Sequence, residues 1–337
     1  MKNFLFLLPV LFTSCLSDEG KRDDFFIEGN RALGEGEYTL AIEHYTNALE
    51  VDGEFYEALN NRGVAYVESD HAHEAILDYN LALQINPEYD ECRINRAYAY
   101  ELIGQYKNAF RDIDVLVMQS PDSAYLHFYK GILLSHLRDF EKAISSFNRA
   151  IDLGDTSADA LVNIATLHYF NQRLDSSKYY LDKALEIAPN QPNAYNTLSQ
   201  VLVSQQDHIG AMFAIERALE QVPREPYFLN NRGMIYLMMD SLELGLQDIN
   251  KSILLNPKNG WSYRNKGVYY TKVGEYAKAI EMFDRAKESP EFIDELYYYL
   301  GQTYLQMGEG FKACEAWKEG LANGEKRCEA MAVACGN

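Results

Sequence analysis

The chain has 337 residues, of which 47% are hydrophobic and 24% charged, so it can bury a large core and does not have the composition of a disordered protein. Its formal net charge is -19, with 50 acidic and 31 basic residues. Because nucleic-acid binding depends on Lys and Arg side chains that neutralise phosphates, DNA and RNA are not expected as partners.

The first segment, residues 1–14, has the features of a signal peptide. One cation, Lys2, precedes the apolar run Phe4–Phe12, and two small residues follow. The run is too short to cross a bilayer, which needs roughly 20 helical residues. Cys15 directly after the small pair resembles the lipobox of bacterial lipoproteins, which implies acylation of Cys15 and an outer-membrane lipoprotein of the cell envelope, periplasmic or surface-exposed. The alternative is an ordinary secreted protein in which Cys15 has no role.

Residues 15–21 are polar and charged, so we expect a short tether between the lipid and a fold that begins near residue 22. The stretch Ser17–Glu19 resembles the surface-export signal of Bacteroidetes lipoproteins. A solvated linker explains the same residues, and the sequence leaves the membrane leaflet open.

A period of 34 residues organises the rest of the chain, from Arg22 to Arg327, without insertion. The nine repeats span residues 22–55, 56–89, 90–123, 124–157, 158–191, 192–225, 226–259, 260–293 and 294–327. The eighth position of a repeat is always small and is occupied by Gly29, Gly63, Ala97, Gly131, Ala165, Ser199, Gly233, Gly267 and Gly301. The twentieth position is also small in every repeat.

Glycine at one recurring helical position needs a packing reason, because each glycine costs about 1 kcal/mol relative to alanine in a helix interior. We infer that a neighbouring helix passes too close for a larger side chain. Large apolar residues at the eleventh and twenty-fourth positions would fill the space around this contact. Prolines at the thirty-second position end the second helix, and turns such as Gly34–Gly36 separate the two helices of a repeat.

The residues that carry a family resemblance are clearest in and just before the eighth repeat, and they are Pro257, Gly267, Tyr270, Ala279, Phe283 and Ala286. Together they resemble the tetratricopeptide repeat. The resemblance covers residues 22–327 and implies an all-α solenoid in which helix-turn-helix units form a right-handed superhelix. Residues 328–337 are expected to form a C-terminal cap.

The resemblance also implies a ligand-binding surface on the first helices, at positions 2, 5, 9, 12 and 13 of each repeat. We call the surface that these positions form the inner face. It carries aromatic, amide and acidic residues, with Arg264 and Lys272 as its two bases. The residues predicted to contact a partner are Asn60, Tyr98, Tyr125, Phe128, Tyr169, Asn196, Tyr227, Asn230, Trp261, Arg264 and Tyr298.

Aromatic side chains supply buried area and amides pair with a peptide backbone, so we expect an extended peptide or protein segment of basic or neutral character. For any single aromatic residue, the alternative is packing against the neighbouring repeat. The asparagines that recur at position 6 are interpreted as repeat-building residues, and they are Asn61, Asn95, Asn163, Asn231 and Asn265. Some relatives hold a chaperone tail with basic residues on successive first helices. Position 5 has one such residue here, Arg264, so that function is not expected.

The cysteines left after lipidation of Cys15 suit an oxidising compartment. Cys328 and Cys335 would lie roughly 10 Å apart along a helix, beyond disulfide reach. The tail must fold back over the second helix of the ninth repeat, where Cys314 lies. Resemblance to the cysteine-bearing C-terminal ends of other Bacteroidetes repeat proteins suggests a bridge between Cys314 and Cys335.

No chemistry is predicted for this chain. The segment Asp70–Glu74 contains metal-ligating residue types, but it falls in a turn, and His71 and His73 do not share a helical face, so no metal is expected. Phosphate-binding loops and hydrolase motifs are absent from the sequence, so neither a cofactor nor enzymatic activity is expected.

The sequence supports two functional hypotheses. The first is a lipid-anchored scaffold that binds another envelope protein along its inner face. The alternative is a lipoprotein receptor that binds a small ligand or glycan on the inner-face aromatics. Under either hypothesis, the membrane is contacted through the N-terminal lipid alone.

Overall fold

The computed structural model describes residues 18–335, so the predicted signal peptide and Cys15 lie outside the described residues. The chain divides into two compact units, Met1–Leu153 and Gly154–Asn337, which we call the N-terminal and C-terminal units. Within residues 18–335 all regular secondary structure is helical, as the repeat pattern predicted. No helix among these residues has the length and apolar character needed to cross a membrane.

The N-terminal unit contains the first four repeats, each built from two helices. They are α1 (Asp18–Gly34), α2 (Tyr38–Val51), α3 (Tyr56–Glu68), α4 (Ala72–Ile85), α5 (Asp90–Leu102), α6 (Tyr106–Gln119), α7 (Ala124–His136) and α8 (Phe140–Asp152). The predicted start of the fold near residue 22 is four residues too late. The acidic residues Asp18 and Glu19 lie in the first turn of α1, where their negative charges interact favourably with the positive end of the helix dipole. Lys21 forms an ion pair with Asp18 at 3.2 Å.

The C-terminal unit contains the last five repeats and the C-terminal tail. Its helices are α9 (Ala158–Phe170), α10 (Leu174–Ile187), α11 (Pro192–Ser204), α12 (His208–Gln221), α13 (Pro226–Met238), α14 (Leu242–Leu255), α15 (Gly260–Lys272), α16 (Tyr276–Lys287), α17 (Leu296–Gln306), α18 (Gly310–Ala322) and α19 (Glu329–Ala334). A short 3-10 turn, Lys326–Cys328, precedes α19.

The two helices of a repeat meet at the small eighth position, as the glycine pattern predicted. A Cβ atom on Gly63 would lie 2.5 Å from Cε1 of Tyr79, and one on Gly131 would lie 2.7 Å from Cε1 of Phe147. The aromatic residue belongs to the twenty-fourth position of the same repeat and is fully buried in both cases. The close helix crossing therefore depends on a missing side chain on one helix and a ring on the other.

A left-handed residue at the fifteenth position joins the two helices of every repeat. It is glycine in four repeats, as in Gly104 with φ 72° and Gly274 with φ 79°, and a non-glycine residue in the other five, as in Asp70 with φ 64°. The next residue donates its N–H back to the first helix, for example from Gln105 to Tyr100 O at 2.8 Å. This is the Schellman arrangement, which satisfies a free helix-end carbonyl.

Adjacent repeats are joined through their first helices. In the N-terminal unit α1 contacts α3 and α3 contacts α5, and in the C-terminal unit the contacts run from α9 through α11, α13 and α15 to α17. Within each unit, a second helix packs between the first helix of its own repeat and that of the next, as α2 does between α1 and α3. The first helices of each unit thus follow one another in repeat order, and they carry the inner face of that unit.

The C-terminal tail packs on the last repeat. Cys328 and Ala332 join Ala313 and Trp317 of α18 in one buried cluster. Cys314 and Cys335 form a disulfide, the pair that the resemblance suggested. The buried Glu325 accepts hydrogen bonds from the N–H groups of Tyr297 and Tyr298 at 3.0 and 3.1 Å, so its carboxylate caps the N-terminus of α17.

Candidate functional site

A row of amides connects the first helices of neighbouring repeats. Asn95 Nδ2 donates to Asn60 Oδ1 at 3.0 Å, and Asn231 Nδ2 donates to Asn196 Oδ1 at 2.8 Å. Asn265 Nδ2 donates to Asn230 Oδ1 at 2.9 Å. In each pair the asparagine at position 6 binds the asparagine at position 5 of the preceding repeat, which is the repeat-building role expected for position 6.

These bonds correct part of the predicted site. Asn60 and Asn230 were predicted to contact a partner, but both side chains are fully buried by the neighbouring repeat. Buried amides must satisfy their hydrogen bonds inside the fold, and these two do so with the next asparagine. They join repeats together and do not present a binding surface. Asn196 is half-buried and makes the same kind of bond.

A set of partly buried ion pairs, which the sequence pattern did not predict, joins the two helices of a repeat. Arg232 Nε and Nη2 donate to the two carboxylate oxygens of Asp248 at 2.6 and 3.0 Å, and Arg62 binds Asp78 in the same bidentate way. Hydrogen bonding to Asp248 raises the pKa of Arg232. The sequence could have indicated these ion pairs, because an arginine at position 7 is followed sixteen residues later by an aspartate at position 23. The same spacing joins positions 8 and 24.

Arg264 is enclosed in the inner face of the C-terminal unit. Its guanidinium lies 4.9 Å from the centre of the Trp261 ring and 5.7 Å from that of Tyr299. Nη1 donates to Asp294 O at 2.7 Å, and Nη2 donates to Asn265 Oδ1 at 2.7 Å. Arg264 is buried and its N–H groups donate within the fold, so the prediction that Arg264 contacts a partner is wrong. The ring of Trp261, a second predicted contact, packs against the Arg264 guanidinium.

A second arginine fills a similar site in the ninth repeat. Arg327 Nη1 donates to Glu295 Oε1 at 2.6 Å, and its guanidinium lies 4.1 Å from the centre of the Tyr298 ring. Tyr299 is 5.7 Å from the same guanidinium. Tyr298 was predicted to contact a partner, and in the structure its ring is covered on one side by Arg327. The chain thus places its own cation between a carboxylate and tyrosine rings.

Tyr169, at position 12 of the fifth repeat, is half-buried on the inner face of the C-terminal unit. Burial, followed by the charge of Glu295, raises the pKa of Tyr169 to about 12, and the charge of Arg264 lowers it. The charges of later repeats therefore act on this predicted partner contact.

The inner face of the N-terminal unit exposes two tyrosines. Tyr98 on α5 is 48% exposed and Tyr125 on α7 is 56% exposed. The buried Tyr129 lies one turn after Tyr125, and the two ring centres are 6.1 Å apart. Burial, followed by the charge of Glu101, raises the pKa of both Tyr125 and Tyr129. Tyr98, Tyr125, Tyr129 and Glu101 thus form one cluster.

The other predicted aromatic residues are divided between packing and exposure. Phe128 is half-buried and makes an edge contact with Phe147 at a centroid distance of 5.4 Å, which is the alternative left open for single aromatic residues. Tyr227, at the start of α13, is exposed on the inner face of the C-terminal unit. The exposed aromatic residues predicted for the site are therefore Tyr98, Tyr125 and Tyr227.

Charge is divided unequally along the inner face. Five of its seven acids belong to the N-terminal unit, and they are Asp23, Glu57, Glu68, Glu91 and Glu101. Both of its bases belong to the C-terminal unit, where Arg264 is enclosed and Lys272 pairs with Asp240 at 2.9 Å. Among residues 18–335, no group of three or more His, Cys, Asp or Glu side chains is placed to hold a metal ion. The inner face of the N-terminal unit is the more acidic of the two.

Comparison with known proteins identifies the repeat. The family model for the tetratricopeptide repeat matches residues 28–90 and 130–192. A tetratricopeptide repeat protein from Parabacteroides merdae has the same fold, with a TM-score of 0.66 and 19% identity over 70% of this chain and 93% of that chain. The chain contains tetratricopeptide repeats and has their solenoid fold. The Cut9–Hcn1 hetero-tetramer of the APC/C contains a chain with a TM-score of 0.58 and 14% identity, covering 95% of this chain and 77% of that one.

Among curated proteins, the chain is similar to parts of longer proteins. It is 26% identical over 297 residues to Hsp70-Hsp90 organizing protein 1 of Glycine max, a match that covers 87% of this chain. The chain spans 40% of the length of that relative. A TPR repeat-containing protein from Methanocaldococcus jannaschii is 35% identical over 86 residues, which cover 26% of this chain and 15% of that protein.

Proposed function

We propose that this protein is an interaction scaffold that holds an extended peptide or protein segment along its inner face. The observation that carries the proposal is the exposure of Tyr98 and Tyr125, two large aromatic side chains on the first helices of successive repeats. Tyrosine supplies contact area at low entropic cost and is enriched among the residues that dominate binding energy.

The buried residues of the inner face support this role by making it rigid. Hydrogen bonds between asparagine side chains of neighbouring repeats, together with the enclosed Arg264, hold the first helices in place. Little conformational entropy therefore has to be lost on binding. We infer a scaffold rather than an enzyme, because the charged groups of the inner face in the C-terminal unit are already engaged in ion pairs or backbone hydrogen bonds.

The class of partner follows from the charge of the inner face. The acidic N-terminal unit favours a segment of basic or neutral character. The Hsp70-Hsp90 organizing proteins carry a protein-assembly role in their name, and a role of that general kind suits this chain. Binding of an acidic chaperone tail does not suit it, since Arg264 is enclosed and Lys272 is paired.

A phage-displayed library of short linear peptides tests the proposal. We expect the wild-type chain to enrich peptides, and the variant with Tyr98→Ala, Tyr125→Ala and Tyr227→Ala to lose most of their affinity while its helical circular dichroism is unchanged. Tyr179→Ala is the matched control, because Tyr179 is 54% exposed but lies on the second helix α10. Equal loss in both variants, or no enrichment by the wild type, would contradict the proposal.

The receptor alternative makes a different prediction. A glycan receptor would bind soluble oligosaccharides in a saturable way through the same tyrosines and would enrich no peptides. Titration of the wild type and the triple variant with a panel of envelope oligosaccharides separates the two functions, because the scaffold is expected to show no saturable sugar binding.

We also propose that the protein is anchored to a bacterial cell envelope by a lipid on Cys15. The lipobox-like sequence motivates the proposal, and the Cys314–Cys335 disulfide supports it, since structural disulfides persist in oxidising compartments outside the cytoplasm. Mass spectrometry of the N-terminal peptide is expected to find a diacylglyceryl cysteine at position 15 and no residues 1–14. An unmodified Cys15 in a membrane-free fraction would contradict it.

A further inference from the structure

The cluster of Tyr98, Glu101, Tyr125 and Tyr129 has the composition of a cation site. Tyr98 and Glu101 are one helical turn apart on α5, and Tyr125 and Tyr129 are one turn apart on α7, so each pair shares a helix face. The centres of the Tyr125 and Tyr129 rings are 6.1 Å apart. A carboxylate flanked by aromatic rings attracts an ammonium or guanidinium group through charge and through the ring quadrupoles.

Among residues 18–335, no Lys or Arg side chain occupies this cluster: none is paired with Glu101 or placed over the rings of Tyr98, Tyr125 and Tyr129. The nearest basic group is the imidazole of His136 on α7, whose Nε2 is 3.8 Å from the Glu101 carboxylate and whose ring stacks on Tyr106 at 4.3 Å. This contact places Glu101 of α5 against α7. The Glu101 side chain is 23% exposed, so an incoming cation can reach it.

The ninth repeat provides an internal template for an occupied site of this kind. There Arg327 binds Glu295 at 2.6 Å and lies 4.1 Å from the ring centre of Tyr298, with Tyr299 on its other side. The same residue types, a carboxylate and tyrosine rings on first helices, recur around Glu101 without the arginine. The buried hydroxyl of Tyr129 lies beside the Glu101 carboxylate, which with burial raises the pKa of Tyr129, and it makes no hydrogen bond of good geometry, so its oxygen can accept one from an incoming donor.

We propose that Glu101, Tyr98, Tyr125 and Tyr129 form a pocket for a lysine or arginine side chain of the segment bound on the inner face. The inference rests on the proposed function and adds a defined subsite to it. Glu101 supplies the opposite charge, the exposed rings of Tyr98 and Tyr125 cover the aliphatic stem, and the Tyr129 hydroxyl accepts a hydrogen bond from the cation. The acidic inner face of the N-terminal unit draws the basic segment toward this pocket.

The test uses hexalysine and hexaarginine as probes of the full chain at about 0.15 M salt, where charges that make no contact are largely screened. We expect Glu101→Gln, which keeps the side-chain size and removes the charge, to weaken binding of the preferred probe about tenfold. Glu74→Gln is the matched control, because it removes one exposed acid from the second helix α4 of the same unit, and we expect less than about a twofold change. The stronger of the two probes identifies the preferred side chain.

Several outcomes overturn the pocket without touching the scaffold function. Equal binding of the preferred probe to the wild type and to Glu101→Gln would do so, and so would no binding of either probe to the wild type. Peptides enriched from the phage library that lack Lys and Arg, and that bind independently of Glu101, would leave the scaffold in place and remove this subsite. Loss of binding in Tyr98→Ala/Tyr125→Ala but not in Glu101→Gln would show that the rings bind the probe without the Glu101 carboxylate, which would overturn the pocket.

Discussion

Gly267 lies beneath the ring of Phe283, sixteen residues later, so closely that a Cβ atom on Gly267 would be 2.5 Å from Cε1 of that ring. The same relationship joins Gly29 to Tyr45 and Gly63 to Tyr79. Where the eighth position is alanine, the twenty-fourth is smaller, as in the pairs Ala97–Ile113 and Ala165–Leu181. The size of one residue therefore compensates for the size of the other.

Gly267→Ala is expected to lower the free energy of unfolding by about 1–3 kcal/mol, because the added methyl group overlaps a fully buried ring that has no room to move. Adding Phe283→Leu should recover part of this loss, since alanine pairs with leucine in the fifth repeat. A double-mutant cycle from urea titrations measures the coupling. Gly34→Ala is the control, since a Cβ there has open space and should be neutral or stabilising. Additive losses at positions 267 and 283 would contradict the pairing.

Gln206→Gly is expected to raise the free energy of unfolding by up to about 1 kcal/mol, because Gln206 has φ 64°, where a non-glycine residue is strained. The greater freedom of glycine in the unfolded chain offsets part of the gain. The neighbouring Gln205→Gly, at φ −85°, has no strain to relieve and should be destabilising. Thermal unfolding of both variants is the measurement. A lower melting temperature for Gln206→Gly than for the wild type would show that strain at this turn is negligible.

The thiols of Cys92 and Cys328 are expected to resist alkylation in the native protein. Burial raises the pKa of Cys92 to about 12, so at pH 8 roughly one molecule in ten thousand carries the thiolate. Burial, followed by the charge of Glu325, also raises the pKa of Cys328. Iodoacetamide at pH 8 followed by peptide mapping should modify both residues only after unfolding. Rapid modification in the native state would mean that the third repeat, which holds Cys92, or the C-terminal tail, which holds Cys328, opens readily.

Reduction of the Cys314–Cys335 disulfide is expected to loosen the C-terminal tail before the rest of the chain. The two cysteines are 21 residues apart in the sequence. Reducing the bond increases the conformational entropy of the unfolded chain, which lowers the free energy of unfolding by about 3 kcal/mol. Hydrogen exchange should rise in α19 and the preceding 3-10 turn while α5 stays protected. The variant Cys314→Ser/Cys335→Ser should match the reduced wild type and show no further response to reductant. Unchanged exchange in α19 would indicate that packing alone holds the tail.

Much of the fold was determined by the sequence because its determinants are local and repeated. The small residue at position 8, the large one at position 24 and the turn residue at position 15 lie within one repeat, and nine copies reinforce the same pattern. The polarity of residues 15–21 predicts a tether, whereas α1 already includes residues 18–21, because acids in the first turn of a helix interact favourably with its dipole.

Only the tertiary structure decided which inner-face residues are available to a partner. Whether Asn60 or Arg264 is buried depends on residues of the adjacent repeat, some 30 to 35 positions away in the sequence. Helical periodicity describes one helix and does not predict contacts between repeats. The grouping of Glu101 with Tyr125 and Tyr129 likewise depends on how one repeat faces the next. Sequence pattern specifies the repeat because local packing is repeated, while accessibility is set by the stacking of repeats.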